Sequence, residues 1–531
     1  MSTPKEVKRV LVSDKMSQQG VDWMSAQEGI EVIYSPGLSP EELKKAIKDV
    51  DGLVIRSATK VKRDILEAAQ NLKVVGRAGI GVDNVDIPSA SERGVLVMNE
   101  PAGNNITTAE HAISLLLSMT RNIPQACASM KAGKWEKSKF MGTEITGATL
   151  GIIGLGNIGK YVAERAKGLK MRVVAHDPFV SADAAAACGA ELMEFSDVLA
   201  EADFLTVHTP LLPQTKGLIG AEAFDQMKDG VLIVNAARGG IVDEDALLEA
   251  LNSGKVAKAA VDVFVTEPTP ADHPIVSHPN VIATPHLGAS TRQAQDRVAL
   301  QLCAQVVTFL KTGTIQNAVN LPRVNSDAQA SLQDYTVLGE RMGQLLGSLC
   351  EGGGSVNIAF RGKAFKQGEG FVTNAILCGL VGEKTDLSVN LINAITTSDK
   401  LGWTCNSKVE PATGQFSSEI SVVVTTDGAS HTATGVVFGD EPRLVELDGA
   451  RVEANLDGPL FVMENSDQPG VVGAVGTALA NANVNVNRIH LAKTRGEQAL
   501  SIWSVNNLDD SIIEAVAKVN HVHRVTPVEL P

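Results

Sequence analysis

The stretch LGIIGLGNIG at residues 150–159 decides the fold of this chain. A short apolar strand runs directly into a G-x-G-x-x-G turn, and a helix pattern from Ile158 to Leu169 follows. Asp177 stands eighteen residues past Gly159, at the end of the next predicted strand. A strand, a glycine turn, a helix and a downstream acid in this order predict a dinucleotide-binding unit within a parallel sheet.

Each residue of this unit has its own expected role. Gly154 permits the tight turn, Gly156 lets backbone N–H groups approach a pyrophosphate at the helix N-terminus, and Gly159 lets helix and strand pack closely. Asp177 would accept hydrogen bonds from ribose hydroxyls and repel a 2′-phosphate, which favours NAD over NADP. The alternative is an ordinary strand–turn–helix with a surface aspartate, and the complete set of elements disfavours it.

Short apolar runs alternate with helix patterns on both sides of this unit, from residue 8 to about 100 and again from 150 to 283. Within the first series, Ser39-Pro40-Glu41-Glu42 is typical of a capped helix start. Alternating strands and helices predict parallel sheets. We therefore expect an α/β protein with two doubly wound (Rossmann/flavodoxin-like) domains. The domain at 103–289 should bind the nucleotide. The other domain is discontinuous and consists of residues 1–102 together with the amphipathic stretch 290–320.

The rest of the chain has a different pattern. Leu321–Ser326 is typical of a linker, and residues 418–425 alternate like an antiparallel strand. From Gly458 onward the order is strand–helix–strand–strand–helix–strand, which is a ferredoxin-like layout. We expect an α+β intervening domain at 325–455 and a ferredoxin-like domain at 459–531.

Composition excludes several classes of protein. In 531 residues, hydrophobic types make up 44% and charged types 20%, which excludes a disordered or collagen-like chain. The net charge of −14 argues against a global basic surface for nucleic acid. Six scattered cysteines without a Cys-x-x-Cys pair favour reduced thiols. Without a signal or spanning segment, we expect a cytoplasmic protein that binds no membrane and no metal.

Three polar segments follow later strands of the second series, at 235–240, 262–268 and 285–290. Ligands of such sheets bind outside the carboxyl ends of the strands, so these segments should meet. His286 fits a general base, Glu267 a carboxylate that orients its ring, and Arg238 a bidentate partner for a substrate carboxylate. Each residue alone has an ordinary structural explanation, but together they predict oxidation of an alcohol by hydride transfer.

These motifs resemble those of the D-isomer-specific 2-hydroxyacid dehydrogenases. The resemblance lies in VGRAGIGVDN at 75–84, the glycine turn, ARGGIVDE at 237–244 and PHLGA at 285–289, in family order, and it covers about residues 5–320. The tail resembles that of the long form of the family, which carries an ACT regulatory domain. The resemblance implies that Arg238 binds the carboxylate and polarises the carbonyl, while Glu267 and His286 form the acid–base pair.

The same resemblance implies a phosphorylated substrate: NAD-dependent oxidation of 3-phospho-D-glycerate to 3-phosphohydroxypyruvate, the entry step of serine synthesis. The substrate residues it implies are Arg56, Ser57, Arg77 and Asn104, with Lys137 reaching across a dimer interface. Pairing with surface carboxylates is the structural alternative for these cations. Further nucleotide contacts are implied for Asn157, Ile158, Thr209, Ala236, Ala237, Asp262, Gly288 and Ala289. We interpret His208 as a structural loop residue.

For the ACT-like tail, the resemblance implies an L-serine effector bound by Asn465, Asp467 and Asn485. The Asp-Gln-Pro-Gly loop at 467–470 departs from the Asn-Arg-Pro-Gly type of serine-sensitive relatives, so a purely structural oligomerisation domain stays an alternative. A homo-oligomer, tetramer or dimer, is expected. The rival functions are a glyoxylate or hydroxypyruvate reductase, which often prefers NADPH and lacks such a tail, and an NAD-sensing, corepressor-like scaffold.

Overall fold

The computed structural model describes residues 7–322, 326–412, 414–493 and 497–530, and these form four β-sheets with helices packed on them. Two sheets are wholly parallel, one is mixed and one is antiparallel. The α/β fold class expected from the sequence is confirmed.

The first sheet has the strand order β2-β1-β3-β4-β5, all parallel. Its elements in chain order are β1 (Lys8–Val12), α1 (Gln18–Ser25), β2 (Ile30–Tyr34), α2 (Pro40–Ala46), β3 (Gly52–Ile55), α3 (Arg63–Ala68), β4 (Val74–Arg77), α4 (Ile87–Glu92) and β5 (Leu96–Asn99). The capping box expected at the start of α2 is present, since the Glu42 N–H donates to Ser39 Oγ and the Ser39 N–H donates to the Glu42 carboxylate.

The second sheet is parallel, with the order β12-β11-β10-β9-β6-β7-β8. Its elements are α5 (Asn105–Thr120), α6 (Ile123–Lys131), β6 (Thr149–Ile153), α7 (Asn157–Gly168), β7 (Arg172–His176), α8 (Ala182–Ala187), β8 (Glu191–Leu192), α9 (Phe195–Glu201), β9 (Phe204–Val207), α10 (Ala221–Gln226), β10 (Val231–Asn235), α11 (Glu244–Ser253), β11 (Val256–Val261), α12 (Pro274–Ser277) and β12 (Val281–Ala283). All five residues of β6 are buried, as a central parallel strand covered on both faces requires.

Helix α13 (Arg292–Thr312) returns from the second sheet to the first. Its Leu302 and Val306 are buried together with Val10 of β1 and Val74 of β4. The chain therefore crosses between the two sheets twice, once before α5 and once before α13. These two crossings border the space between the domains.

The second half of the chain carries the mixed and antiparallel sheets, ordered β14-β13-β15-β16-β17-β18 and β20-β21-β19-β22. Their elements are α14 (Ser326–Leu349), β13 (Gly354–Gly362), α15 (Glu369–Gly382), α16 (Ala394–Lys400), β14 (Trp403–Glu410), β15 (Ser418–Thr425), β16 (Ser430–Phe438), β17 (Glu441–Leu447), β18 (Ala450–Ala454), β19 (Pro459–Ser466), α17 (Val471–Asn481), β20 (Val486–Lys493), β21 (Gln498–Val505), α18 (Asp510–Ala517) and β22 (Val522–Glu529). The antiparallel strand expected at 418–425 is β15, and the last six elements have the ferredoxin-like order.

The linker expected at Leu321–Ser326 is shorter in the structure than in the prediction. Leu321 is buried in the core of the first domain, and Ser326 already belongs to α14. Residues 323–325 of this prediction lie outside the described residues. A polar, proline-containing pattern does not reveal that a leucine at its edge packs into a core.

Two further expectations concern the whole molecule. All six cysteines are free thiols. In the part of the chain that the structure describes, none of the helices combines the length and apolarity needed to cross a membrane.

Candidate active site

A cleft of about 1660 Å³ separates the two parallel-sheet domains, at the carboxyl ends of their strands. Sixteen of the residues singled out in the sequence line it: Arg56, Ser57, Arg77, Asn104, Gly156, Asn157, Ile158, Asp177, Thr209, Ala236, Ala237, Arg238, Glu267, His286, Gly288 and Ala289. Because parallel strands all end at the same edge of their sheet, segments distant in sequence meet here. Gly154, Gly159, Asp262 and Lys137 are not among the residues that line the cleft.

The glycine turn has the backbone shape that its sequence suggests. Gly154 has a φ of +95°, a conformation that favours glycine, and a Cβ on Gly159 would lie 2.1 Å from the Gly154 carbonyl oxygen. A Cβ on Gly156 would meet nothing within 4 Å, because this residue faces the open cleft. Gly156 caps α7 without a side-chain hydrogen bond, so the first N–H groups of that helix remain available to a pyrophosphate.

Asp177 follows β7 directly and holds the turn beside it. Its Oδ2 accepts the Leu155 N–H at 2.8 Å, and its Oδ1 accepts the Phe179 N–H at 2.9 Å. The carboxylate is half-buried at the cleft wall and keeps lone pairs that a ribose diol can use. The glycine turn and this acid together fit a dinucleotide.

His286 and Glu267 form a pair on the cleft wall. His286 Nδ1 lies 2.8 Å from Glu267 Oε2, and the other oxygen of Glu267 accepts the Phe264 N–H at 3.0 Å. With its Nδ1–H donated to the carboxylate, the imidazole keeps its Nε2 lone pair for another proton. His286 has a φ of +54°, which is uncommon for a residue other than glycine, so the surrounding loop must hold it there.

Asp262 lies behind this loop, fully buried. Its carboxylate accepts the Leu287 N–H at 2.8 Å, the Gly288 N–H at 2.9 Å and the Thr284 hydroxyl at 2.5 Å. Burial by itself raises the pKa of this carboxyl, but hydrogen bonds from His111, Thr284 and Leu287 outweigh it, so the pKa lies below its ordinary value. Asp262 therefore holds the loop as an anion.

Arg238 reaches across the cleft from the nucleotide-binding side. Its Nε lies 3.9 Å from Asp83 Oδ2, and its Nη1 donates to the Ala237 carbonyl at 2.6 Å. A Cβ on Gly81 would lie 2.5 Å from Arg238 Nη2, so only glycine leaves room for the guanidinium against the first domain. One cation thus contacts both walls of the site.

The first domain contributes further cations. Arg56 and Lys60 line the cleft with Arg77, whose Nε is buried and finds no hydrogen-bond partner among the described residues. Burial, with repulsion from Arg238, lowers the pKa of Arg77 to about 10, so the side chain stays charged at neutral pH. Several cations with few counterions favour an anionic ligand.

Other side chains, not singled out in the sequence, hold this cationic loop. The Asp14 carboxylate accepts the Arg56 N–H at 2.6 Å and the Thr59 hydroxyl at 2.7 Å. Asn84 Nδ2 donates to the Arg56 and Thr59 carbonyls at 2.8 and 2.6 Å. Asp14 lies just past the end of β1. This position at a strand end is the one signal in the sequence that could have identified Asp14 as a site residue.

Several polar atoms on the cleft wall have no partner among the described residues. Among them are Oδ1 of Asn104, Oδ1 of Asn105, Nδ1 of His208 and Oγ1 of Thr209. Burial lowers the pKa of the His208 imidazole to about 4, and its Nε2 lies 3.0 Å from Thr206 Oγ1. The interpretation of His208 as a structural residue stays a prediction.

Lys137 lies outside the cleft, exposed on a short 3-10 helix at Lys137–Phe140. Around it the surface exposes large apolar side chains, among them Trp135 at 81% and Met141 at 83%. Exposed apolar groups of this size in one region are typical of a protein–protein contact. The role expected for Lys137 across a dimer interface stays a prediction.

The loop expected to bind an effector lies in the last domain. Asn465 is buried and its Oδ1 has no partner among the described residues, whereas Asp467 pairs with Lys493 at 2.9 Å. Gly470 caps α17 with a φ of +95°, and Asn485 precedes β20, where its Nδ2 donates to Asn487 Oδ1 at 3.2 Å. An effector role for these residues stays a prediction.

Two family models match parts of this chain. A family model described as D-isomer specific 2-hydroxyacid dehydrogenase, NAD binding domain, matches residues 113–288. A second, described as D-3-phosphoglycerate dehydrogenase intervening domain, matches residues 331–448.

Similar relatives extend over nearly the whole chain. The D-3-phosphoglycerate dehydrogenase of Archaeoglobus fulgidus is 40% identical, over 98% of this chain and 100% of its own length. That of Bacillus subtilis is 39% identical over 98% and 100%, and the human enzyme is 40% identical over 95% and 96%.

Solved structures match about three fifths of this chain. The Aquifex aeolicus D-lactate dehydrogenase complexed with NAD and lactic acid is 25% identical, with a TM-score of 0.52, over 60% of this chain and 100% of that one. The NAD-dependent formate dehydrogenase of Staphylococcus aureus in complex with NAD is 29% identical, with a TM-score of 0.52, over 59% and 98%.

Proposed function

We infer the function from one premise: this chain belongs to the D-3-phosphoglycerate dehydrogenases, within the D-isomer-specific 2-hydroxyacid dehydrogenase family. It oxidises 3-phospho-D-glycerate to 3-phosphohydroxypyruvate with NAD, the first step of the phosphorylated route to L-serine. The observation that carries this function is the convergence of Arg238, Glu267 and His286 on one cleft beside the glycine turn.

NAD supplies the hydride acceptor when it is bound. The start of α7, with Gly156, Asn157 and Ile158, binds the pyrophosphate of NAD, and Asp177 binds the adenosine ribose. Thr209, Ala236, Ala237, Gly288 and Ala289 line the rest of the nucleotide half of the cleft. Asp262 supports this wall from behind, through the N–H groups of Leu287 and Gly288.

His286 removes the proton of the substrate hydroxyl while the hydride leaves the carbon that bears this hydroxyl. The acceptor atom is Nε2, because Nδ1 faces Glu267. Glu267 holds the ring in that orientation and stabilises the imidazolium that forms. In the reverse direction the same atom returns the proton to the carbonyl oxygen.

Two groups of cations divide the charges of the substrate. Arg238 binds the carboxylate and polarises the developing carbonyl, since a planar guanidinium matches a carboxylate in two places. Arg56, Ser57 and Arg77 bind the phosphate from the other wall. Asn104, at the first interdomain crossing, offers its unpaired oxygen to the substrate.

Several wider features belong to the same proposal. Closure of the two domains excludes water from the hydride transfer. The exposed apolar surface near Trp135 and Lys137 joins two copies of this chain, and the four-stranded tail is an ACT domain that L-serine reaches through Asn465, Asp467 and Asn485. Six free thiols favour the cytoplasm.

The test compares the NADH formed with 3-phosphoglycerate, glycerate and lactate. We expect turnover that depends on the phosphate, because analogues that lack the phosphate leave Arg77 without an anion. The absence of turnover with 3-phosphoglycerate would reject the function. Rapid turnover of glyoxylate or hydroxypyruvate with NADPH would instead favour the reductase alternative.

A further inference from the structure

The loop that carries His286 contacts a helix that the proposed mechanism does not use. Helix α5 begins just after the first interdomain crossing and packs its first turns against residues 284–291. Thr108 Oγ1 donates to the Gly288 carbonyl at 3.0 Å, and Thr107 Oγ1 lies 3.1 Å from Thr291 Oγ1. These bonds join α5 to both ends of the segment 288–291, which follows His286.

His111 adds a contact from the next turn of the same helix. Its Nε2 lies 3.1 Å from Asp262 Oδ1, within the buried network that holds the Leu287 and Gly288 N–H groups. Thr108 and His111 are three residues apart, so they share one face of α5. Through this face, Thr108 bonds to the backbone of the loop and His111 bonds to Asp262, the buried anion that holds the loop.

The backbone at His286 explains why such support is needed. Its φ of +54° is unfavourable for a residue with a Cβ, and its N–H bonds to the Asp262 carbonyl at 2.8 Å. A loop held in this conformation relaxes when its outer bonds are removed. The imidazole would then leave the position that its bond to Glu267 defines.

We propose that Thr108 and His111 are positioning residues, which fix the loop of the general base against α5 without touching the substrate. The proposal rests on the role given to His286 above. It assigns kinetic importance to two side chains that contact the catalytic loop or its support, Thr108 at the cleft wall and His111 at the buried Asp262.

The test uses Thr108→Val and His111→Leu in the full-length enzyme, with Thr108→Ser and His111→Gln as variants that keep a donor. Thr120→Val is the matched control, because Thr120 is also buried on α5 but donates to Leu117 of its own helix at 2.9 Å. We expect Thr108→Val and His111→Leu to lower kcat about tenfold, since small misplacements of a catalytic group are costly. KM and the Kd of NADH should stay nearly constant, and the conservative variants should recover most of kcat.

Amide hydrogen exchange provides a second readout that needs no turnover. Exchange of the segment 284–291 should accelerate in Thr108→Val and His111→Leu and stay as in the wild type in Thr120→Val, because the bonds at Leu287 and Gly288 open more often.

Three outcomes would overturn the proposal. They are a kcat and an exchange rate equal to those of the control, a loss confined to thermal stability and the fraction of active enzyme, or weaker NADH binding at constant kcat. Wild-type enzyme without turnover on 3-phosphoglycerate would reject the proposed function instead, and the exchange comparison would still decide the positioning.

Discussion

The two halves of this chain join their domains in opposite ways. Between the first two domains lies an open cleft that carries the cations of Arg56, Arg77 and Arg238. Between the last two domains lies a shared apolar core, in which Val422 of the mixed sheet and Leu500 of the antiparallel sheet are buried together. A cleft that keeps water can open and close at small cost, whereas a shared core must move as one body.

A third contact joins the first domain to the second half of the chain. Phe371 of α15 is buried in the core of the first domain, and Asn390 Nδ2 donates to the Gly94 carbonyl at 2.9 Å. The first parallel-sheet domain is thus packed against the intervening domain. The comparison implies that the nucleotide-binding domain closes over a larger body that includes the tail.

The largest expected effect comes from a substitution in the cleft and is an effect on catalysis, not on stability. His286→Ala should lower kcat/KM by up to about 10⁴-fold, because the hydroxyl proton loses its acceptor. The free energy of unfolding should hardly change, since the ring is half exposed and contributes little to a core. Steady-state kinetics and thermal unfolding measure the two. Normal turnover in this variant would reject the acid–base role.

On the apolar side, Leu500→Ala should cost about 3 kcal/mol of stability through lost burial and a cavity. Leu500 is 4% exposed, whereas Leu491 on the edge strand β20 is 52% exposed, so Leu491→Ala is the control and should change stability little. Calorimetry should show both C-terminal sheets melting in one shifted transition. Separate transitions for the two sheets would contradict a shared core.

Arg77→Met sharpens the contrast, because the half-buried cation of Arg77 in the cleft serves binding and not stability. We expect KM for 3-phosphoglycerate to rise about 30-fold, the loss of roughly one charge-assisted contact, with little change for glycerate. The apoenzyme should be no less stable, since an isolated cation leaves the interior. Arg63→Met, at an exposed ion pair with Glu92 of the same domain, is the control. An equal loss for glycerate would argue against a phosphate role.

The smallest effect concerns pH. The pKa of His208 lies at about 4 in the folded protein, below its ordinary value of 6.5. Its contribution to stability is therefore complete above pH 6.5 and is lost as pH falls from 6.5 through 4. Between neutral and acidic pH, the free energy of unfolding of His208→Gln should therefore fall by about 1–2 kcal/mol less than that of the wild type. Denaturant unfolding at pH 7 and pH 4.5 measures it, and an identical pH dependence in both proteins would contradict a buried neutral ring.

Much of the site followed from strand ends. Arg238, Glu267 and His286 each come shortly after a buried strand, and parallel strands bring such positions together. Asp14 and Asn84 were missed because they bond to the backbone of other segments, and His111 was missed because it bonds to the buried carboxylate of Asp262. A bond such as that from Asn84 Nδ2 to the Arg56 carbonyl leaves no trace in local spacing.

The sequence by itself determined the alternation of strands and helices in the first two domains and the strand–helix order of the last, the glycine turn of the coenzyme site and the chemical types of the reacting groups. These depend on periodicity and local backbone preference, which act over a few residues. Only the tertiary structure decided that Leu321 is core, that Asp262 faces the catalytic loop from behind, and that the last two domains share one interior. Those facts arise from packing between segments far apart in the chain, where burial and not local pattern determines the partner of each side chain.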